Sequence, residues 1–176
     1  MFIHEQTNLI TGDDGPNNSK HLTLTSAKLP TLDEMRQQYQ AGGSLGAISI
    51  GGLGLQALEC TFGLVGHDPQ VLSQFGLGQR IRRPYTLYGL IRDKKSGRAF
   101  ELKASMEGRL GRIEGNDLQR GELASHDYMI DEIYHYELWI DQKEKFYYDL
   151  FASDWRVDGV SQNEDARNIL RIAGTS

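Results

Sequence analysis

With 176 residues, 24% of them charged, the chain has the size of one domain, large enough to bury a core without disulfide or metal staples, although its 39% hydrophobic share is below that usual for a globular domain. A formal net charge of −5 argues against a general nucleic-acid binder, because such proteins gain affinity by neutralising phosphates with Lys and Arg. The single cysteine, Cys60, excludes an internal disulfide and a finger-type zinc site and points to a reducing compartment.

Glycine, at 20 residues, exceeds its usual share of about 7%, which favours tight turns over a large helical core. The start, MFIHEQTNLI, lacks a basic stretch leading into an apolar run, and no window approaches the roughly 18 apolar residues of a membrane span. A soluble protein made without a secretion signal, and with no membrane insertion, is expected. The local basic clusters, Arg80, Arg82 and Arg83 in RIRRP and Arg92, Lys94 and Lys95 in RDKK, read as solvated charges at turns and strand ends.

Residues 1–28, centred on TGDDGPNNSK, are polar and rich in turn formers and read as an arm or short strands. Thr31 and Glu34 have capping-box spacing, and Leu32, Met35 and Tyr39 recur at helical intervals before Gly42 and Gly43, which predicts a helix over Thr31 to Ala41. A glycine-rich stretch, AISIGGLGLQALE, follows. Next, Leu58, Cys60, Phe62 and Leu64 alternate with Glu59, Thr61 and Gly63, the period of a strand. HDPQVLSQFG has Asp68 as N-cap and Pro69 at the first helical position, with Val71, Leu72 and Phe75 inward and Gly76 as terminator, so a very short helix is predicted.

The segment from Arg82 to Trp155 reads as two hairpins. RPYTLYGLIRD turns at KKSG into RAFELKASMEGRL, which places Phe100, Leu102, Ala104, Met106 and Leu110 on one face and Glu101, Lys103, Ser105, Glu107 and Arg109 on the other. DEIYHYELWID turns at QKEK into the aromatic-rich FYYDLFASDWRVDG. A closing helix over 161–173 is predicted from a capping box at Ser161 and Glu164 and a stripe of Ala166, Ile169, Leu170 and Ile172, ending at Gly174. The fold class is α+β: an antiparallel β-barrel or sandwich flanked by short helices.

Gly52, Gly54 and Ala57 match the G-x-G-x-x-A spacing of a dinucleotide turn, but the context is wrong. A helix is expected before the glycines and a strand after them, and Gln70 to Gln74 hold no acidic residue for a ribose. His4, His21, His67, His126 and His135 are scattered, with no i, i+4 pair for a metal. HDY and YHYE hold acid/base groups, yet no Ser or Cys sits in a nucleophile motif, and Cys60 falls on an apolar strand face. No catalytic residue, cofactor site or metal site is expected, and the chain does not read as an enzyme.

Together, LPTLDEMRQQYQAGGSLGAISIGGLGLQALECTF, VLSQFG, YGLIRDKKSGRAFELKASMEGRL and YHYELWIDQKEKFYYDLFASDWRVDGVSQNEDARNILRIAG resemble, in order and spacing, the major tail tube proteins of contractile phage tails. The resemblance covers about Leu29 to Gly174 and extends to R-type bacteriocin tube subunits; TGDDGPNNSK departs from the family pattern. It implies one tail-tube domain over 1–176 whose hexameric rings stack into the inner tube of a contractile phage tail. The tube would be a conduit for DNA that passes without specific binding, and the partners would be other copies, sheath, baseplate and tail-terminator proteins. The implied place is the virion, with assembly in the bacterial host cytoplasm. On this reading residues 42–54 form an inter-ring loop in which Gly51, Gly52 and Gly54 give backbone freedom and Leu45, Ile48, Ile50 and Leu53 supply apolar contact. Glu101, Lys103, Ser105 and Glu107 are the candidate lumen face. The alternatives are a tube of a related injection or bacteriocin particle without a genome and, more distantly, a small β-barrel ligand-binding protein.

Overall fold

The computed structural model describes residues 1–13, 15–77 and 82–172. In chain order its elements are β1 (Phe2–Thr11), β2 (Leu24–Lys28), β3 (Gln37–Tyr39), β4 (Ile48–Ile50), β5 (Cys60–Val65), α1 (Pro69–Leu72), β6 (Arg83–Asp93), β7 (Ala99–Gly115), β8 (Ser125–Ile140), β9 (Lys143–Asp149), β10 (Asp154–Val157), β11 (Val160–Ser161) and α2 (Glu164–Leu170). The main sheet is antiparallel in the order β1-β6-β7-β8-β9-β10-β11, with β5 also pairing β8 and β2 pairing β5.

A bend in the two longest strands explains how β8 has three neighbours. Its first part, Ser125–Ile130, pairs with β5, and its last part, His135–Ile140, pairs with β9. Between them Glu132 takes a φ of 48°. Opposite the same point β7 loses register between Glu107 and Arg109 and again between Leu110 and Arg112. Such bulges bend a strand and raise its twist. Gly108 lies at the bend because no side chain fits: a Cβ there would stand 2.6 Å from Ile130 Cγ2 and 2.9 Å from the Asp131 carbonyl oxygen.

The sheet thus folds over a core from five strands and α1: Leu9, then Leu58, Cys60, Phe62 and Leu64, then Val71, Tyr85 and Leu87, Ala104, Met106 and Leu110, and Tyr128, Ile130 and Tyr136. The expected alternation in β5 and β7 is what fills it. Phe62 stacks on Tyr128 at 5.0 Å between ring centroids, and the buried Tyr85 hydroxyl donates to Gln74 Oε1 at 3.0 Å. The sheet curls without closing. β1 and the chain leading into β2 meet at the Ile10–Ser19 bridge and at the Lys20 N–H, which donates to the Leu9 carbonyl. The result is an open sandwich rather than a closed barrel. Lys20 is itself buried, 2.7 Å from Asp68 Oδ2 and 3.0 Å from Gln70 Oε1, and ties this corner to α1.

The helix expected over Thr31 to Ala41 is not formed. Residues 37–39 pair instead with 48–50 as β3 and β4, and Gly42 and Gly43, read as a helix stop, lie at the hairpin tip. An isolated helix of that length is marginal without a core to pack on; Leu32 packs against the core but Met35 and Tyr39 stay exposed, whereas Ile48 and Ile50 favour a pleated ribbon. Glu34, read as part of a capping box, accepts the Gly52 N–H at 3.3 Å.

At the C-terminus α2 is shorter than the 161–173 expectation. Ser161 belongs to β11, and Asn163 takes the N-cap position without a side-chain cap bond. Its amide serves the body instead, accepting from the Trp155 N–H and donating to the Ser153 carbonyl. Arg171, in the left-handed region at φ 55°, ends the helix, and the expected terminator Gly174 lies outside the described residues. The short α1 begins as read, with Asp68 Oδ1 accepting from the Gln70 and Val71 N–H groups, but it ends at Ser73 rather than Gly76.

Candidate functional site

Two surfaces carry the residues singled out by sequence. The first is the ribbon of β3 and β4, an arm that leaves the body at a foot made by the Glu34–Leu55 bridge and by backbone bonds from Met35 N–H to the Gly54 carbonyl and from Gln56 N–H to the Asp33 carbonyl. Every residue from Asp33 to Gly54 is exposed. Cross-strand partners share a face. Tyr39 opposes Ile48 and Gln37 opposes Ile50, so three large apolar groups line one side, and Gln38 and Ser49 line the other. Leu45 is fully exposed at the tip and Leu53 is 57% exposed beyond β4. Residues 37–58 contain no Asp, Glu, Lys, Arg or His. In a chain this charged, such a run marks a segment suited to losing its water.

The arm's glycines act at its foot. Gly52 and Gly54 have φ of 76° and 125°, which side chains rarely adopt, and a Cβ at Gly51 would stand 2.6 Å from Glu34 Oε2. Of the seven residues expected in an inter-ring loop, the structure brings Ile48 and Ile50 onto one face and leaves Leu45 and Leu53 apart from it. Tyr39, placed by sequence in a helix, completes that face.

The second surface is the outer side of β6, β7, β8 and β9. Glu101, Lys103, Ser105 and Glu107 all point away from the core, as their alternation with Leu102, Ala104 and Met106 requires. Register sets Lys103 beside Tyr88 and Trp139, Ser105 beside Thr86 and Glu137, and Glu107 beside Pro84 and His135.

A family model described as phage tail tube protein FII matches residues 16–170. The chain belongs to this family. The tail-tube chain is also 26% identical over 143 residues to the major tail tube protein of Serratia phage KSP20, an alignment covering 81% of each protein. Among solved structures, a chain from the sheath/tube terminator of an extracellular contractile injection system in the extended state (PVC) is similar at a TM-score of 0.50 and 10% identity, over 77% of this chain and 92% of that one. That likeness speaks for the fold alone.

The outer face of this tail-tube chain holds residues that sequence reasoning did not select. His135 lies between two carboxylates, with Nε2 2.9 Å from Glu137 Oε1 and Nδ1 3.3 Å from Asp149 Oδ2. With an acceptor at each nitrogen, the doubly protonated ring donates to both. The hydrogen bond to Glu137 is the main cause holding the His135 pKa above its ordinary value, and burial opposes it. The same bond, with the Trp139 indole donating at 2.8 Å, holds the Glu137 carboxyl below the usual range. Arg156 stacks 3.5 Å over the Tyr147 ring. The alternation in YHYELW signals this face; the pairing of His135 with Asp149 needs the hairpin register.

Within the basic clusters Arg92 and Lys94 both reach Glu5, at 2.9 and 2.6 Å, and Arg82 reaches Glu132 at 3.1 Å, while Arg80 lies outside the described residues. Cys60 is buried in β5, and desolvation pushes its thiol up to about 12, where no thiolate forms near neutral pH. Among the described residues no helix is long and apolar enough to cross a membrane.

Proposed function

We propose that the chain is one tail-tube domain whose copies form hexameric rings that stack into the inner tube of a contractile phage tail. The arm carries this reading: an exposed, uncharged ribbon with an apolar face gains stability only when a partner covers it, and the nearest partner in a homopolymer is the next copy. Residues 42–54 and the flanking Tyr39 make the contact between rings, with Leu45, Ile48, Ile50 and Leu53 supplying apolar area. Sheath, baseplate and tail-terminator proteins meet the outside of the tube, assembly takes place in the bacterial host cytoplasm, and no catalytic step is involved.

The outer side of β7 lines the lumen. Glu101 and Glu107 beside Lys103 make this face mixed rather than basic, which suits a conduit for DNA, because a strongly basic wall would hold phosphates through counterion release. Reversing Glu101 and Glu107 to Lys then slows DNA release at low salt while leaving tube assembly intact. Unchanged release from tubes carrying both reversals overturns the lumen assignment.

Negative-stain electron microscopy at rising protein concentration, with light scattering alongside, tests the assembly. Rings about six subunits around, or hollow tubes, support it. Monomers at every concentration, even with baseplate seeds added, overturn it. A tube for a genome-free injection or bacteriocin particle shares all of this and differs in carrying no DNA.

A further inference from the structure

Beside the foot of the arm lies an open groove of about 690 Å³, between Gly54 and Leu55 on one wall and the corner where β9 turns into β10 on the other. Its apolar lining is Tyr148, Leu150, Trp155 and Val157. Trp155 stacks on Phe146 at 5.7 Å and packs edge-on against Tyr148 at 6.3 Å, so the floor is preformed. The acidic residues at its border already have partners. Asp149 serves His135 and the Ala152 N–H, Asp154 serves Arg156, Arg167 and Ser161, and Glu34 serves Gly52. Leu150 remains 48% exposed.

We propose that this groove receives the arm of a second copy, its Tyr39, Ile48 and Ile50 face seated on Trp155 and Leu150. The inference rests on the assembly reading above and names the receiving surface. The arm from Gln37 to Leu58 carries no charge, and of the carboxylates bordering the groove Asp149 and Asp154 face His135, Arg156 and Arg167, which leaves Glu34 at its edge held by the Gly52 N–H, so an apolar face can lose water on this floor at little cost. They do not meet within one subunit: Tyr39, Ile48 and Ile50 are all exposed and none of them lines the groove. The size suits the task, since pockets of about 300–1,000 Å³ take several large side chains. Arm and groove are different patches, so the contact is heterologous and can repeat from copy to copy, as a growing stack requires.

The test uses full-length subunits carrying Ile48→Cys or Leu150→Cys. Cys60 is buried and does not compete. The two variants are mixed, assembled, and treated with a short bismaleimide. A cross-linked dimer containing one copy of each, absent when either variant is assembled alone, is the expected result. Assembled tubes that give no such dimer overturn the groove while leaving the assembly reading standing. Failure of the parent protein to assemble at any concentration, seeds included, removes both. A second variant, Leu150→Asp, raises the protein concentration needed for tubes at least tenfold with an unchanged urea midpoint; unaltered assembly would count against the groove.

Discussion

Replacing Leu53 with Asp separates the stability of the subunit from that of the assembly. In the free chain Leu53 is 57% exposed, and the arm around it makes no core contact, so the substitution removes little buried area and shifts unfolding by less than about 0.5 kcal/mol, the usual range for surface changes. In a ring-to-ring contact the same change forfeits the burial of a leucine, about 1.5–3 kcal/mol, and puts a carboxylate in an apolar seat, costing about 2 kcal/mol more on mutational scales. A combined loss of about 4 kcal/mol per contact corresponds to roughly a thousandfold weaker association. Urea unfolding followed by tryptophan fluorescence reads the first quantity, and light scattering against concentration reads the second. Tubes from Leu53→Asp at the parent's concentration would refute the reasoning, as would a urea midpoint that falls with assembly.

Three further outcomes concern the body. Gly108→Ala forces a Cβ against the Asp131 carbonyl and Ile130, and overpacking there costs about 1–3 kcal/mol in urea unfolding, while Gly42→Ala, with open space around it, leaves the midpoint nearly unchanged. His135 has a folded pKa above its unfolded value, so its stabilisation is complete below about pH 6.5 and is lost as pH rises through the folded value. His135→Gln abolishes that alkaline decline in urea midpoints measured across pH; the midpoint then depends on pH only through other groups. Lys20→Met leaves Asp68 without its buried cation and costs about 3 kcal/mol, read by urea unfolding, with the loss reduced in the double variant Lys20→Met, Asp68→Asn.

Strand alternation made much of the fold legible: Cys60, Phe62 and Leu64 in β5 and Ala104 and Met106 in β7 point inward as their spacing demands. α1 was readable from Asp68 and Pro69, whose chemistry is local. The arm was not, because Leu32, Met35 and Tyr39 satisfy a helical period equally well and nothing nearby in sequence says that Ile48 and Ile50 return to pair with Tyr39 and Gln37. The bend at Gly108 and Glu132 is likewise a property of two strands at once, visible only when register places Ile130 and Asp131 against Gly108. The four outer-face residues of β7 were found from period alone, but His135 and Asp149 come together across a hairpin whose tight turn at Asp141 and Gln142 takes positive φ at both positions without a glycine.

An uncharged apolar ribbon that waits in solution for its partner invites a different fate, the stacking of like segments into fibrils. β3 and β4 are each three residues long, below the six or seven that a dry zipper needs, and glycines interrupt the chain at 42, 43, 46, 51, 52 and 54. The arm is therefore sticky over too short a span to template its own kind. On the assembly reading, that brevity would let free subunits persist without fibrils until a tube begins to grow.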